Sequence, residues 1–365
     1  MKSAPQITII IPIHNRILFL PQVLEYYSLT KSAVSLRIII ADSSAEENVG
    51  KNKEVISKFG DLNILYLVIR GADQTLFDKI IGALEHVKTE FCVCCADDDF
   101  ITISGLKATC EFLQSNPDFV VAHGAYISFH TRPNSGKPKL YWRPAYFNHS
   151  VDADSADNRL TDQFLNCKHT LYAVHRTSEL KYIYEEVKGA LDSKVQILLF
   201  GEFLSSMLAA IRGKIKDLSV FYSARREDAY YQGQHVKWPQ MRDYIREGKF
   251  DVESIKFKES LVKNLLARSD LRLEEARVLV NEGLRGSIKK GLPPDRFRHL
   301  VLNASNFLKD KNAPDWLYKS LSRVYRTFVP VKRGGNTDDL AGTNLSAYNE
   351  DFKIFRDVVL KNTLL

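Results

Sequence analysis

The chain has 365 residues, 45% of them hydrophobic and 11% aromatic, with 51 Lys and Arg against 44 Asp and Glu for a net charge of +7. These values exclude a disordered, collagenous or coiled-coil protein and leave room for two domains, or one large domain with an appendage, at roughly 100–200 residues per domain. The positive surplus sits wholly in residues 236–365, which carry 25 basic and 17 acidic side chains.

No zinc-finger, RNP-type or basic-zipper pattern accompanies that surplus, so nucleic acid is not an expected partner. MKSAPQ leads straight into a strand-like run without a small-residue cleavage site, and ITIIIPI (7–13) and VQILLFG (195–201) fall short of the ~20 apolar residues of a membrane span. A cytoplasmic protein without a transmembrane helix is expected. Five cysteines, an odd number, fit neither a disulfide framework nor a zinc ribbon, and Cys92, Cys94 and Cys95 read as small core hydrophobes.

Residues 7–13 form the first predicted strand, followed by a helical pattern on Leu18, Leu20, Val23, Leu24 and Tyr27. SLRIIIADSS (35–44), NILYLVIRG (63–71) and TEFCVCCADDD (89–99) supply further strands, with a helix on Leu76, Ile80, Ile81, Leu84 and Val87 before the last. This alternation of short β-branched runs with helical spacing predicts βαβ units around a mostly parallel, Rossmann-like sheet with helices on both faces. Ser104 is the expected N-cap of a helix through Leu106 and Leu113, and NPDFVVAHGAY (116–126) is another strand. Residues 131–158, rich in Pro, Gly, Asn, aromatic and basic residues, read as a long functional connection. From about Pro239 the pattern is helical, which divides the chain into 1–238 and an α-helical 239–365, with VKRGGNTDDLAGTN (331–344) as a flexible loop.

Asp97, Asp98 and Asp99 follow an uncharged strand, and three adjacent carboxylates repel one another unless they share a cation. Alternation along a strand would put Asp97 and Asp99 on one side and Asp98 on the other. Two carboxylates on one side suit Mg²⁺ or Mn²⁺, whose remaining positions water and a substrate phosphate fill. Open α/β sheets bind ligands beyond the carboxyl ends of their strands. The other predicted ends carry Pro12, His14, Asn15 and Arg16 on strand one, and Asp42, Ser43 and Ser44 on strand two. There Asp42 can accept from a base or ribose and Arg16 can serve a phosphate.

Together, ITIIIPIHNR, IIIADSS, FCVCCADDDF and FGEFLSSMLAAIRGKI resemble, in order, the motifs of the GT-A glycosyltransferases of the family 2 type, over about residues 5–235. The resemblance implies a GT-A fold and a nucleotide-sugar donor, with a UDP-sugar expected, and it sets the aspartate of strand two at the nucleotide base. It further implies a divalent metal on the diphosphate at a DxD motif and a glycan or lipid-linked glycan as acceptor. Carried over residue by residue, it places Pro12, His14, Asn15, Arg16, Asp42, Lys79, Asp97 and Asp98 at the nucleotide, Asp97 and Asp99 at the metal, and Glu202 as the general base of an inverting transfer. Where the family has an acidic pair, Glu202 is followed here by Phe203; Lys79 only partly replaces the family's Asn-Gly and Ala-Arg-Asn pattern. A missing QxxRW favours transfer of a single sugar over polymerisation.

Glu202 is expected to be shielded by Phe200, Phe203 and Leu204. Arg225 and Arg226 are candidates for a diphosphate or acceptor clamp, His235 for a further metal ligand, and Tyr230, Tyr231 and Trp238 for acceptor stacking or core. His169 and His175 read as ordinary packed or surface histidines. Arg323, Arg326, Lys332 and Arg333 flank Val324, Tyr325, Phe328 and Val329, a mixture suited to peripheral contact with the inner face of an anionic membrane, or to packing and homo-oligomer formation. A nucleotidyltransferase would need a Gly-rich loop where PIHNRIL stands. A glycoside hydrolase would need two carboxylates across the scissile bond. A non-catalytic nucleotide-sugar binder on a decayed GT-A fold is the alternative.

Overall fold

A computed structural model describes residues 6–71, 75–134, 137–145, 149–166, 169–227, 249, 254–291 and 339–363. His235, Tyr230, Tyr231, Trp238 and the basic cluster from Arg323 to Arg333 lie outside the described residues.

The strands are β1 (Gln6–Ile13), β2 (Ser35–Asp42), β3 (Ile64–Val68), β4 (Phe91–Cys94), β5 (Phe100–Ile101), β6 (Phe119–Asn134), β7 (Lys137–Ala145), β8 (Val174–Arg176) and β9 (Lys214–Arg226). They form one sheet in the order β3-β2-β1-β4-β8-β6-β9-β5, with β7 added to β6. β1 runs parallel to β2 and β4, and β2 parallel to β3. Strand order reverses at β1, so the crevice beyond the carboxyl ends of β1 and β4 is where this architecture binds ligands.

Both faces of the sheet are covered, and the central strands β1 and β4 bury side chains on both. Ile7, Ile9, Ile11 and Ile13 of β1 enter one core with Ile38, Ile40 and Phe91, while Ile10 enters the other with Ile39, Cys92 and Cys94. Helices α1 (Leu20–Thr30), α2 (Glu46–Ser57) and α4 (Ile103–Ser115) close the first face; α3 (Leu76–Leu84), α5 (Ala156–Asn166), α6 (Thr177–Ala190) and α7 (Lys194–Arg212) close the second. The buried cysteines are core residues, and burial pushes the Cys92 thiol up to about 12. The later helices join the same two cores. Phe257 and Leu261 of Ile255–Leu266 pack into the second, and Phe355 of Asn349–Asn362 sets its ring against Phe100 and Phe129 (5.1 and 4.8 Å) in the first. No helix among the described residues is long and apolar enough to cross a membrane.

Two local expectations are corrected. Thr102, not Ser104, caps α4, its hydroxyl accepting from the Gly105 N–H (3.1 Å), while Ser104 donates to Asp351 of the last helix. Residues 131–134 and 137–145 are not a connection but paired strands of a β-hairpin: Tyr126 pairs with Ala145 and Asn134 with Lys137. Leu140 and Trp142 alternate inward while Lys139 and Arg143 face out. Pro138 and Pro144 are tolerated because β7 is an edge strand that, among the described residues, pairs with β6 alone.

Candidate active site

Asn15, two residues after β1, is in the left-handed region (φ 53°), a conformation Asn adopts more readily than most residues. Its N–H donates to Ser44 Oγ (2.7 Å) and its Oδ1 accepts from the Ala45 N–H (2.8 Å), which ties β1 to the start of the helix Glu46–Ser57. His14 donates from Nδ1 to the Ser43 carbonyl (2.9 Å). This turn aims Arg16 across the crevice, where its half-exposed guanidinium bonds to Asp97 and to Asp98 Oδ2 (2.9 Å).

The acidic triplet is not a strand continuation. β4 stops at Cys94, and the Asp99 N–H donates to the Ala96 carbonyl (3.3 Å), closing a turn. Alternation therefore does not govern it: Asp98 and Asp99 line the main cavity and Asp97 lies fully buried beneath them. Burial, with Asp98 adding to it and Arg16 opposing, pushes the Asp97 carboxyl up to about 7. Burial and Asp98 raise Asp99 as well, against Arg225. Burial lowers the Arg16 pKa, but Asp97 and Asp98 outweigh it and leave the group raised.

Asp42 is fully buried and its carboxylate is engaged by the protein. The Ser44 N–H donates to Oδ1 (2.7 Å), and Asn52 Nδ2 (2.9 Å) and the Tyr66 hydroxyl donate to Oδ2. Lys79, buried on α3, donates to the Ile13 carbonyl (3.3 Å) and lines the cavity; burial lowers its pKa, with Asp97 and Asp42 opposing.

The two neighbouring arginines of β9 both line the main cavity, but they engage different partners. Arg225 lies over the Tyr172 ring (4.4 Å) and near Tyr126 (5.6 Å), with Nε 3.8 Å from Asp99 Oδ2. Arg226 is buried: its N–H donates to Asp99 Oδ1 (2.8 Å) and its guanidinium donates to Gln22 Oε1 (2.8 Å) between Phe19 and Phe129.

These elements enclose a cavity of about 510 Å³ whose lining includes Pro12, His14, Arg16, Lys79, Asp98, Asp99 and Arg225. A smaller cavity of about 170 Å³ shares Tyr126, Tyr172 and Arg225 with it and holds Glu202, His169 and His123. Glu202 is on α7, well inside the helix, and its side chain is 45% exposed, so Phe200, Phe203 and Leu204 do not shield it as expected. Sequence reasoning passed over Tyr126, Ser128, Tyr172 and Glu227, which also line the main cavity. The alternation of AYIS along β6 places Tyr126 and Ser128 on one face, which is the signal that was there to be read.

The donor set suits a hard divalent cation. Asp97 Oδ2 is buried without a hydrogen-bond partner, and every available ligand on the turn is a carboxylate. Among the described residues no group of three or more His, Cys, Asp or Glu forms a closed metal cage. Mg²⁺ and Mn²⁺ sites that share their coordination with substrate phosphate need only one or two protein carboxylates.

No family model and no curated protein matches the sequence. Solved structures do share the fold. TarS of S. aureus superposes with a TM-score of 0.50 at 14% identity, over 85% of this chain and 49% of that one, so the chain spans about half of TarS. The TarS 1-349 fragment in complex with UDP-GlcNAc gives 0.50 at 13% identity, over 97% and 90%. A mannosyltransferase of Pyrobaculum calidifontis in complex with GDP-Man and Mn²⁺ aligns at 0.42 and 11% identity over 99% and 88%. The architecture implied by the sequence motifs, an α/β sheet of the GT-A type with a helical C-terminal region, is the one found.

Proposed function

We propose that the protein is a glycosyltransferase that moves a single sugar from a nucleoside diphosphate donor to an acceptor hydroxyl, with inversion and with a divalent cation. The observation that carries this reading is the pair of joined cavities: the acidic turn and basic groups lie in one, a carboxylate base candidate in the other, and Arg225 stands in the wall between them. A volume of about 510 Å³ is within the range of roughly 300–1,000 Å³ for small-molecule sites.

In this reading the donor lies in the larger cavity with its diphosphate near the acidic turn. Lys79 and Arg225 supply positive charge where the departing diphosphate gains negative charge, and Arg16 orients Asp97 and Asp98. Asp97 and Asp99 would hold a Mg²⁺ or Mn²⁺, which would supply Lewis-acid neutralisation of the diphosphate. Glu202 takes the proton of the acceptor hydroxyl as its oxygen attacks, a contribution of roughly 10²–10⁴ in rate. Direct displacement by one base inverts the anomeric carbon. The acceptor class we favour is a glycan or lipid-linked glycan at the cytoplasmic face of a membrane, reached with the help of the basic C-terminal region.

A second reading, a nucleotide-sugar binder without transfer, is favoured by one observation: Glu202 is half-exposed and stands beside Phe203 instead of a second acid. Incubation with a panel of nucleotide sugars, followed by mass spectrometry of the released nucleotide and sugar products, separates the two. A binder releases no nucleoside diphosphate. UDP-GlcNAc heads the panel because the TarS fragment of like fold was solved with it.

A further inference from the structure

Glu202 reaches the smaller cavity on a long side chain that receives no hydrogen bond from the described residues. A base held so loosely spends little of its time in line with an attacking hydroxyl. Facing it is His169, whose Nδ1 lies 3.6 Å from Glu202 Oε2. Both line that cavity, and neither lines the larger one.

The backbone behind this pair is fixed, unlike that of a chance surface contact. The Thr170 N–H donates to Ser206 Oγ (3.0 Å), and Ser206 Oγ donates to the Glu202 carbonyl one turn back on α7 (2.7 Å). Thr170 and Ser206 are buried, and His175 Nε2 donates to the Thr170 carbonyl (2.8 Å). Two of these hydrogen bonds run from Thr170 through Ser206 to the helix turn that carries Glu202, and the third fixes Thr170 to His175 of β8. The side chains themselves remain about half-exposed, at 57% and 45%, so an incoming acceptor can reach them. Hydrogen bonds at active sites are often long in the absence of substrate and tighten when it binds.

We infer that His169 is a positioning residue for Glu202: its Nδ1–H directs the carboxylate towards the acceptor and takes the place of the second acid that Phe203 has displaced. The inference rests on the transfer reading. His169 moves no proton; the hydroxyl proton goes to Glu202, and the imidazole supplies the hydrogen bond that orients it. Besides Glu202, the charged and titratable groups on this cavity are His123, Arg225, Tyr126, Tyr172 and Tyr222.

Three substitutions test it, because an Asn amide nitrogen sits near the position of Nδ1, a Gln amide near that of Nε2, and Leu donates nothing. Release of UDP from UDP-GlcNAc, or from whichever panel donor the wild type consumes, is followed with glycerol as the hydroxyl. His169→Leu and His169→Gln should lower kcat about 10- to 100-fold, the scale of a misplacement of about 1 Å, with the donor KM unchanged. His169→Asn should recover most of the loss. In the Glu202→Gln background, His169→Leu should cost nothing further, since the two act as a unit. Wild-type kcat in His169→Leu, or an Asn variant no better than Gln, overturns the inference while leaving the transfer reading intact. A larger loss from His169→Leu than from Glu202→Gln also overturns it, by making the histidine the base. A wild type that consumes no donor in the panel overturns the transfer reading and this inference with it.

Discussion

Gly201, the residue before the proposed base, lies where α7 presses on α3. A Cβ built there falls 2.6 Å from Cε2 and 2.8 Å from Cζ of Phe77. Comfortable carbon contact begins near about 3.5 Å, so Gly201→Ala requires a shift of roughly 1 Å by the ring or by the helix. The ring has little freedom, being 4% exposed and packed on Tyr184 at 4.9 Å between centroids. Overpacking of this kind costs about 1–3 kcal/mol, and moving α7 by this distance carries Glu202 off line, where about 1 Å is worth up to about 10² in rate. Gly201→Ala should therefore lower both the thermal midpoint and kcat while nucleotide affinity holds, because Glu202 is not on the donor cavity. Phe77→Leu removes both clashing atoms, so the double variant should regain kcat over Gly201→Ala alone. Differential scanning fluorimetry and steady-state turnover report the two effects. An alanine variant with wild-type midpoint and kcat would refute the argument that close packing here positions the base.

Glu202→Gln should bind nucleotide as the wild type does and lose about 10² or more in turnover; near-normal turnover would move the base elsewhere. Burial, with His123 adding to it and the Thr170 bond opposing, lowers the pKa of His175 from 6.5 to about 4. The folded protein thus keeps this histidine neutral while the unfolded chain takes up a proton below pH 6.5. Its contribution is complete above about pH 6.5 and is lost as pH falls towards 4, by roughly 3 kcal/mol at most. Chemical denaturation at pH 7.5 and 4.5 should show a smaller acid loss in His175→Gln than in the wild type, and an equal loss would contradict the assignment.

The parallel half of the sheet was legible because β1, β2 and β4 are apolar on both faces, a pattern that few surface elements share. The hairpin arm β7 was not, since Pro138 and Pro144 signal a loop unless the strand is known to be an edge. β8 has three residues, too few to display a period. Cap choice between Thr102 and Ser104 turned on a two-residue shift that either side chain can support. At the site, the acidic triplet stood out by charge after an uncharged strand, and Glu202 through the resemblance of its segment to the family's acidic pair. The grip of Arg16 on Asp97 and Asp98 did not, because it joins residues about eighty positions apart and depends on how the turns after β1 and β4 face each other. The same holds for Asp42: its type and place were readable, but not that Asn52 and Tyr66 close over its carboxylate. His169 carried no signal in sequence, since its partnership with Glu202 exists only once Thr170 is bound to Ser206.

The central claim is that the acidic turn and the cavity above it bind a nucleoside diphosphate together with a divalent cation. Isothermal titration of UDP, with GDP in parallel, into the wild type and Asp99→Ala tests it most directly, each in Mn²⁺ and in EDTA. The account predicts binding by the wild type in Mn²⁺, at least about tenfold weaker binding in EDTA, and no Mn²⁺-dependent gain in Asp99→Ala. Affinities that are equal in Mn²⁺ and EDTA, or unchanged by the substitution, would contradict it.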